Sequence, residues 1–262
     1  MTSRLVRNAR RDLRELTPAR VSLPMTGHSI ATEEVLGFQL AHAKARDAVH
    51  AGLDLPSFIQ RLRVELPVLK EASIGVLQVR SNAADRGTYL RQPNLGRTLH
   101  RDSAAELRLV GCQLAIVIAD GLSALAIERN AIALLGYLIP RLLADGWTMA
   151  PLTVVQQGRV GIGDPIGVGL GASCSLVLIG ERPGLSASDS MGAYLTWAPG
   201  EGRTDADRNC LSNIREGGLA PEEAAGRLFW YLQTARVRQQ TGIGLKEGGL
   251  PAGPPSRRTI TS

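Results

Sequence analysis

Short apolar runs alternate with helical patterns through residues 111–246, and each run ends in a polar turn. That rhythm is the pattern of an α/β domain. Residues 114–119, Leu-Ala-Ile-Val-Ile-Ala, read as a buried strand by their length and their Ile and Val content. The polar turn Asp120-Gly121-Leu122-Ser123 follows, and a long helical pattern then runs to about Ala144. Pro140 predicts a kink in that helix, and Asp145-Gly146 predicts its stop. Residues 152–155 and 175–179 read as further strands, with 194–197 as a fourth. Pro221, followed by Glu222 and Glu223, opens a last helix whose apolar stripe is Ala225, Leu228, Leu232 and Ala235. The expected fold class is α/β: a Rossmann-like, mostly parallel sheet flanked by helices, preceded by a helical N-terminal region.

That N-terminal region, residues 1–66, shows no alternating strands. Arg4, Arg7, Arg10, Arg11 and Arg14, interleaved with Leu5, Leu13 and Leu16, read as a short amphipathic helix that docks on a partner. Thr32 is a candidate N-cap, with Glu33 and Glu34 where a helix dipole favours negative charge. Val35, Phe38, His42, Ala45 and Val49 then fall on one helical face, which predicts His42 as a packed structural histidine. Residues 74–79 look like a strand. The polar stretch after it, with Arg80, Asp85, Arg86, Tyr89, Arg91 and Arg97, reads either as a solvated loop with ion pairs or as an interface. The expected divisions are therefore residues 1–66, 67–246, and a disordered tail at 247–262 with almost nothing to bury.

Composition narrows the function classes. The 262 residues are 44% hydrophobic and 21% charged, enough for a substantial core. No stretch has the length of uncharged sequence that a membrane helix needs. The net charge is +6, yet Lys44, Lys70 and Lys246 are the only lysines, so the positive charge is almost all arginine. Arginine favours bidentate carboxylate and phosphate contacts and protein interfaces. The arginines are spread along the chain without interleaved aromatics, which argues against nucleic acid as a partner. Cys112, Cys174 and Cys210 are odd in number and lack metal-ligand spacing, as expected of a reducing, cytoplasmic compartment.

The usual catalytic signatures are missing. There is no Walker-type phosphate loop, no HExxH and no GxSxG, and the four histidines are not spaced as metal ligands. The glycine-rich stretch at 158–171 follows a strand, the right context for cradling a phosphate, but its spacing is not GxGxxG. Close packing and tight turns are the competing explanation. More informative are Asp120 and Glu181-Arg182, polar residues just past apolar strands, where parallel sheets bind ligands. A carboxylate there could accept hydrogen bonds from amide groups of a bulky ligand. Alternatively, Glu181 and Arg182 pair with each other or with neighbours at a sheet edge.

These residues resemble one family over about residues 17–246. The matching segments include Thr17-Pro18-Ala19-Arg20-Val21, Val79-Arg80-Ser81, Leu95-Gly96-Arg97, Asp120-Gly121-Leu122-Ser123 and Gly158-Arg159-Val160. The most distinctive run from Ile179-Gly180-Glu181-Arg182-Pro183 to Ser186, and from Asp207-Arg208-Asn209-Cys210 to Ile214. They look like the small (light) subunit of adenosylcobalamin-dependent ethanolamine ammonia-lyase. Pro165 departs from that pattern, where an acidic or amide residue is expected.

The resemblance implies a radical lyase that converts ethanolamine to acetaldehyde and ammonia. It implies adenosylcobalamin as cofactor and a large subunit as partner in a hetero-oligomer. The substrate residues belong to that partner, so no catalytic or metal-binding residue is expected on this chain. The small subunit packs against the side of the cobalamin away from the adenosyl group. By position, the cofactor-binding residues are Val160, Glu181 and Cys210, with Arg182, Ser212 and Asn213 as supporting contacts, and residues 67–246 become a cobalamin-contacting domain. No His lies in an Asp-x-His-x-x-Gly pattern, which fits a cofactor that keeps its own dimethylbenzimidazole on cobalt. Some members are packaged in a bacterial microcompartment, an extension of the cytoplasmic location. The alternative from another class is a non-catalytic Rossmann-like nucleotide-binding or assembly module.

Overall fold

The computed structural model describes residue 17 and residues 19–245. The Arg-rich stretch expected as a docking helix and the tail at 247–262 lie outside the described residues. Met25–Thr26 (β1) and Ser29–Ile30 (β2) form a short antiparallel hairpin. Three helices follow, Thr32–His50 (α1), Leu55–Glu65 (α2) and Pro67–Glu71 (α3). Next come Val76–Arg80 (β3), Arg86–Arg91 (α4), Arg101–Glu106 (α5) and Leu114–Ala119 (β4). The chain continues through Ala124–Ala144 (α6), Leu152–Gln156 (β5), Gly163–Leu170 (α7) and Cys174–Gly180 (β6). Met191–Trp197 (β7), Arg208–Ile214 (β8) and Pro221–Arg238 (α8) complete it.

The fold is α/β, as the rhythm of the sequence predicts. Six strands lie in the order β3-β5-β4-β6-β7-β8. β3, β5, β4 and β6 are parallel; β7 and β8 extend the sheet antiparallel from β6. Every residue of β4 and of β6 is buried, because helices cover both faces there. On one face, Leu114, Ile116 and Ile118 pack with Ile127, Leu134, Leu135 and Leu138 of α6. The same core takes in Leu228 and Leu232 of α8, Phe58 and Leu62 of α2, and Leu69 of α3. On the other face, Ala115, Val117 and Ala119 pack with Ile166 and Leu170 of α7.

Two boundaries follow from local chemistry. The Ser123 side chain accepts the Ala126 N–H at 3.2 Å and so starts α6 directly after β4. Pro140 lies inside α6, which carries on to Ala144. At α1 the expected Thr32 cap is displaced by one residue. Ala31 occupies the N-cap position with no side-chain bond, and Thr32 is the first helical residue.

α1 differs from the other long helices in what it leaves exposed. Ala45 and Ala48 are its only buried residues, whereas Val35, Leu36, Phe38 and Leu40 face solvent. The expectation of a packed His42 is therefore wrong. His42 is exposed and stacks on Phe38 with ring centroids 6.1 Å apart. Among the described residues, no helix is long and apolar enough to cross a membrane.

Candidate functional site

The chain leaves β4 through α6 on one face to reach β5, then returns through α7 on the other face to β6. The strand order thus reverses at β4, and the carboxyl ends of β4, β5 and β6 surround the crevice where such sheets bind ligands. A cavity of about 430 Å³ opens there. Val160 lines it from the loop after β5, Glu181 from the end of β6, and Tyr194 from β7. Leu122 and Ile179 supply further apolar wall.

The loops around the crevice are held by very close backbone approach. Gly121 sits at φ 58°, and a Cβ there would fall 2.2 Å from the Gly180 carbonyl oxygen. Only glycine satisfies both conditions. In the glycine-rich stretch, close packing accounts for the glycines of α7. Gly163 and Gly167, one turn apart on α7, bring the helix against Val177 of the sheet and against Pro199, where Cβ atoms would fall within 2.4 and 2.5 Å.

Beneath the crevice lies a buried polar cluster. Asp120, expected to face a ligand, instead turns inward, and its Oδ1 accepts the Gly158 N–H at 3.2 Å. Burial pushes its carboxyl up to about 6, against the opposing pull of the Gln157 N–H and of the Arg86 charge. Arg86 Nη1 stands 3.9 Å from Asp120 Oδ2, near enough for attraction but too far for a hydrogen bond. The guanidinium instead donates to the carbonyls of Val49 and Gly121, each at 2.7 Å. Tyr89, wholly buried, donates its hydroxyl to the Gly158 carbonyl at 3.0 Å. The polar stretch after β3 is thus neither a solvated loop nor a bare interface at these positions. Its short helix α4 supports the Gly158-Arg159-Val160 loop from below.

Glu181 does not pair with Arg182, which is exposed. Its Oε2 accepts from the Ser190 hydroxyl and from the Asn213 N–H, the latter at 3.2 Å. A β-bulge makes the second bond possible. Gly192 alone stands opposite Ser212 and Asn213, so the Asn213 N–H leaves the ladder and turns to Glu181. Among the described residues, no donor reaches Glu181 Oε1. Cys210 lies opposite Tyr194 in the β7–β8 ladder, exposed, with its Sγ 3.2 Å from the Ser212 hydroxyl. Burial against its neighbours nevertheless pushes the thiol up, so it stays protonated at neutral pH. Val160 and Glu181 share the cavity; Cys210 does not line it and lies on the exposed sheet next to Tyr194.

The profile described as Ethanolamine ammonia-lyase light chain (EutC) matches residues 7–246. This chain belongs to that family. A Bradyrhizobium diazoefficiens protein named ethanolamine ammonia-lyase small subunit is 50% identical over 255 residues, covering 96% of this chain and 94% of its own length. Proteins of the same name from Azotobacter vinelandii and Xanthomonas campestris pv. campestris are each 47% identical, covering 92% of this chain and 88% of theirs. The two segments that most distinctively carry the family resemblance lie at this crevice and on the sheet beside it. The segment around Glu181 ends β6, and the segment around Cys210 is β8.

Residue patterns missed β8 as a strand, together with Arg86, Tyr89 and Tyr194 as parts of the site. Only the family resemblance drew attention to the β8 sequence. Arg86 and Tyr89 meet their partners across 35 to 71 residues of chain, which no local pattern reports.

Proposed function

We propose that this chain is the small subunit of an ethanolamine ammonia-lyase and that it holds one side of adenosylcobalamin through Val160, Glu181 and Cys210. The observation that carries the cofactor contact is Glu181 Oε1, a carboxylate oxygen with no donor, at the mouth of an apolar cavity beside exposed sheet. The residues fit the group. A corrin ring is rimmed by amide side chains, whose N–H groups need acceptors, and its faces need apolar contact. Glu181 would accept from an amide, fixed in place by Ser190 and Asn213. Val160 would present apolar surface, and Cys210 a small side chain with a weakly donating thiol. When bound, the cofactor supplies the radical chemistry that turns ethanolamine into acetaldehyde and ammonia.

The role left to this chain is enclosure. Radical chemistry requires that water and reductants be kept out, and Val160, Leu122 and Ile179 would help dry the cofactor's flank. Residues 1–66 would dock on the large subunit, a reading supported by the exposed Leu36, Phe38 and Leu40 of α1. The enzyme would then act in the cytoplasm, free or packaged in a microcompartment.

The test is ammonia release from ethanolamine with adenosylcobalamin, using this chain alone, its large-subunit partner alone, and both together. Activity is expected only in the mixture. A partner fully active without this chain would overturn the reading. In the mixture, Glu181→Ala is expected to raise the cofactor concentration for half-maximal rate at least tenfold, and an unchanged value would remove Glu181 from the site.

A further inference from the structure

A second cavity, of about 530 Å³, adjoins the first. Arg159, Val160 and Tyr194 line both. Its lining is dominated by arginine: Arg97, Arg159, Arg203 and Arg208 face it, against Asp164 and Asp205. Two of these arginines are already committed. Arg208 grips Asp164 with hydrogen bonds of 3.1 and 2.6 Å, and Arg203 pairs with Asp207 at 3.5 Å. Asp205, almost fully exposed, approaches Arg208 Nε at 4.0 Å. Among the described residues, no carboxylate forms an ion pair with Arg97 or Arg159.

Arg159 is held ready. Its guanidinium lies 4.2 Å from the centre of the Tyr89 ring, and Nη2 donates to the Tyr89 carbonyl at 3.2 Å. Its Nε is out of solvent with no hydrogen-bond partner. A buried donor left unmade is a cost that an anionic ligand would relieve. The Arg97 side chain lies along Gly161, where a side chain at 161 would meet its Cγ at 3.5 Å. The wall therefore presents two arginines without counter-charges, one of them locked by stacking and a main-chain bond. Such an arrangement suits a phosphate oxyanion.

We infer that this cavity takes the phosphodiester of the cobalamin's nucleotide tail, with Arg159 and Arg97 as its cationic partners. The inference rests on the reading that the adjoining cavity takes the corrin. The phosphodiester is the anionic group of the cofactor. It hangs from the side away from the adenosyl group, the side that the family resemblance turns toward this chain.

The experiment compares two corrinoids on the complex reconstituted with the large subunit, by equilibrium dialysis read from corrin absorbance. Cyanocobalamin carries the nucleotide tail; dicyanocobinamide lacks both phosphodiester and base. Arg97→Ala and Arg159→Gln are each expected to weaken cyanocobalamin binding at least tenfold and to leave cobinamide binding within twofold. Arg97 is exposed and its side chain makes no described hydrogen bond, so its variant keeps the fold and decides the matter alone. Unchanged cyanocobalamin affinity in Arg97→Ala, or equal losses for both corrinoids, would overturn the inference. A wild-type complex that bound neither corrinoid would overturn the cofactor reading itself, a distinguishable failure.

Discussion

Arg208 of β8 and Asp164 of α7 meet in a two-pronged ion pair, with side chains 3% and 10% exposed. A third bond, 2.7 Å from Arg208 Nη1 to the Thr196 hydroxyl, ties the pair to β7. The edge strand that carries Cys210 is thus clamped to the helix that follows the Val160 loop. One guanidinium ties β8 to α7 across the sheet.

Removing one partner of that pair leaves a buried charge without compensation. Asp164→Ala is expected to lower unfolding free energy by about 3–5 kcal/mol in urea titrations of the full-length chain. Replacing both, Asp164→Leu with Arg208→Met, is expected to recover most of that loss, because the desolvation penalty goes with the charges. A double variant as unstable as the single one would show that the pair does more than neutralise itself.

Asp120 gives the stability a pH dependence of defined sign. Its folded value, about 6, lies above the ordinary carboxylate value, so the folded state binds its proton more readily than the unfolded chain. The resulting stabilisation is fully present below about pH 4 and is lost as the pH rises through about 6. Between pH 7 and pH 5 the wild type should gain about 1 kcal/mol relative to Asp120→Asn, which lacks the titration. Parallel urea midpoints for the two proteins across that interval would contradict the assignment.

Cys210 is expected to label slowly despite its exposure. Burial of its thiol, partly offset by hydrogen bonds from Ser212 and Tyr194, keeps it above its ordinary value. Mass spectrometry after iodoacetamide treatment should find little adduct at pH 7 and progressively more as the pH is raised well into the alkaline range. Cys112 and Cys174, both buried, should remain unmodified in the folded chain. Fast labelling of Cys210 at neutral pH would show a thiolate there.

The parallel core was legible because burial on both faces writes itself as an uninterrupted apolar run. Residues 114–119 and 175–179 read as strands on that ground, and the polar residues after them marked the crevice. β8 was not legible from its pattern. Its polar residues have structural partners instead: Arg208 grips Asp164, Asn209 accepts the Gly242 N–H, and Ser212 and Asn213 form the bulge. Glu181 was correctly placed at a strand end, but the same rule misjudged Asp120, whose partner is the Gly158 N–H brought in from across the sheet. His42 failed for the opposite reason. A helical stripe reports that a face is apolar and not that this chain covers it. Tyr89 sits on a six-residue helix, too short for periodicity to show.

The bare face of α1 has a consequence for how the chain is made. Leu36, Phe38 and Leu40 are each about half exposed or more, and Met25 and Ile30 of the hairpin are exposed beside them in sequence. Such surface drives self-association when it has nothing to cover it. Copies synthesised in excess of the subunit that we propose covers α1 would be prone to precipitate. Under that proposal dosage becomes part of this protein's design: its output has to keep pace with that of its partner.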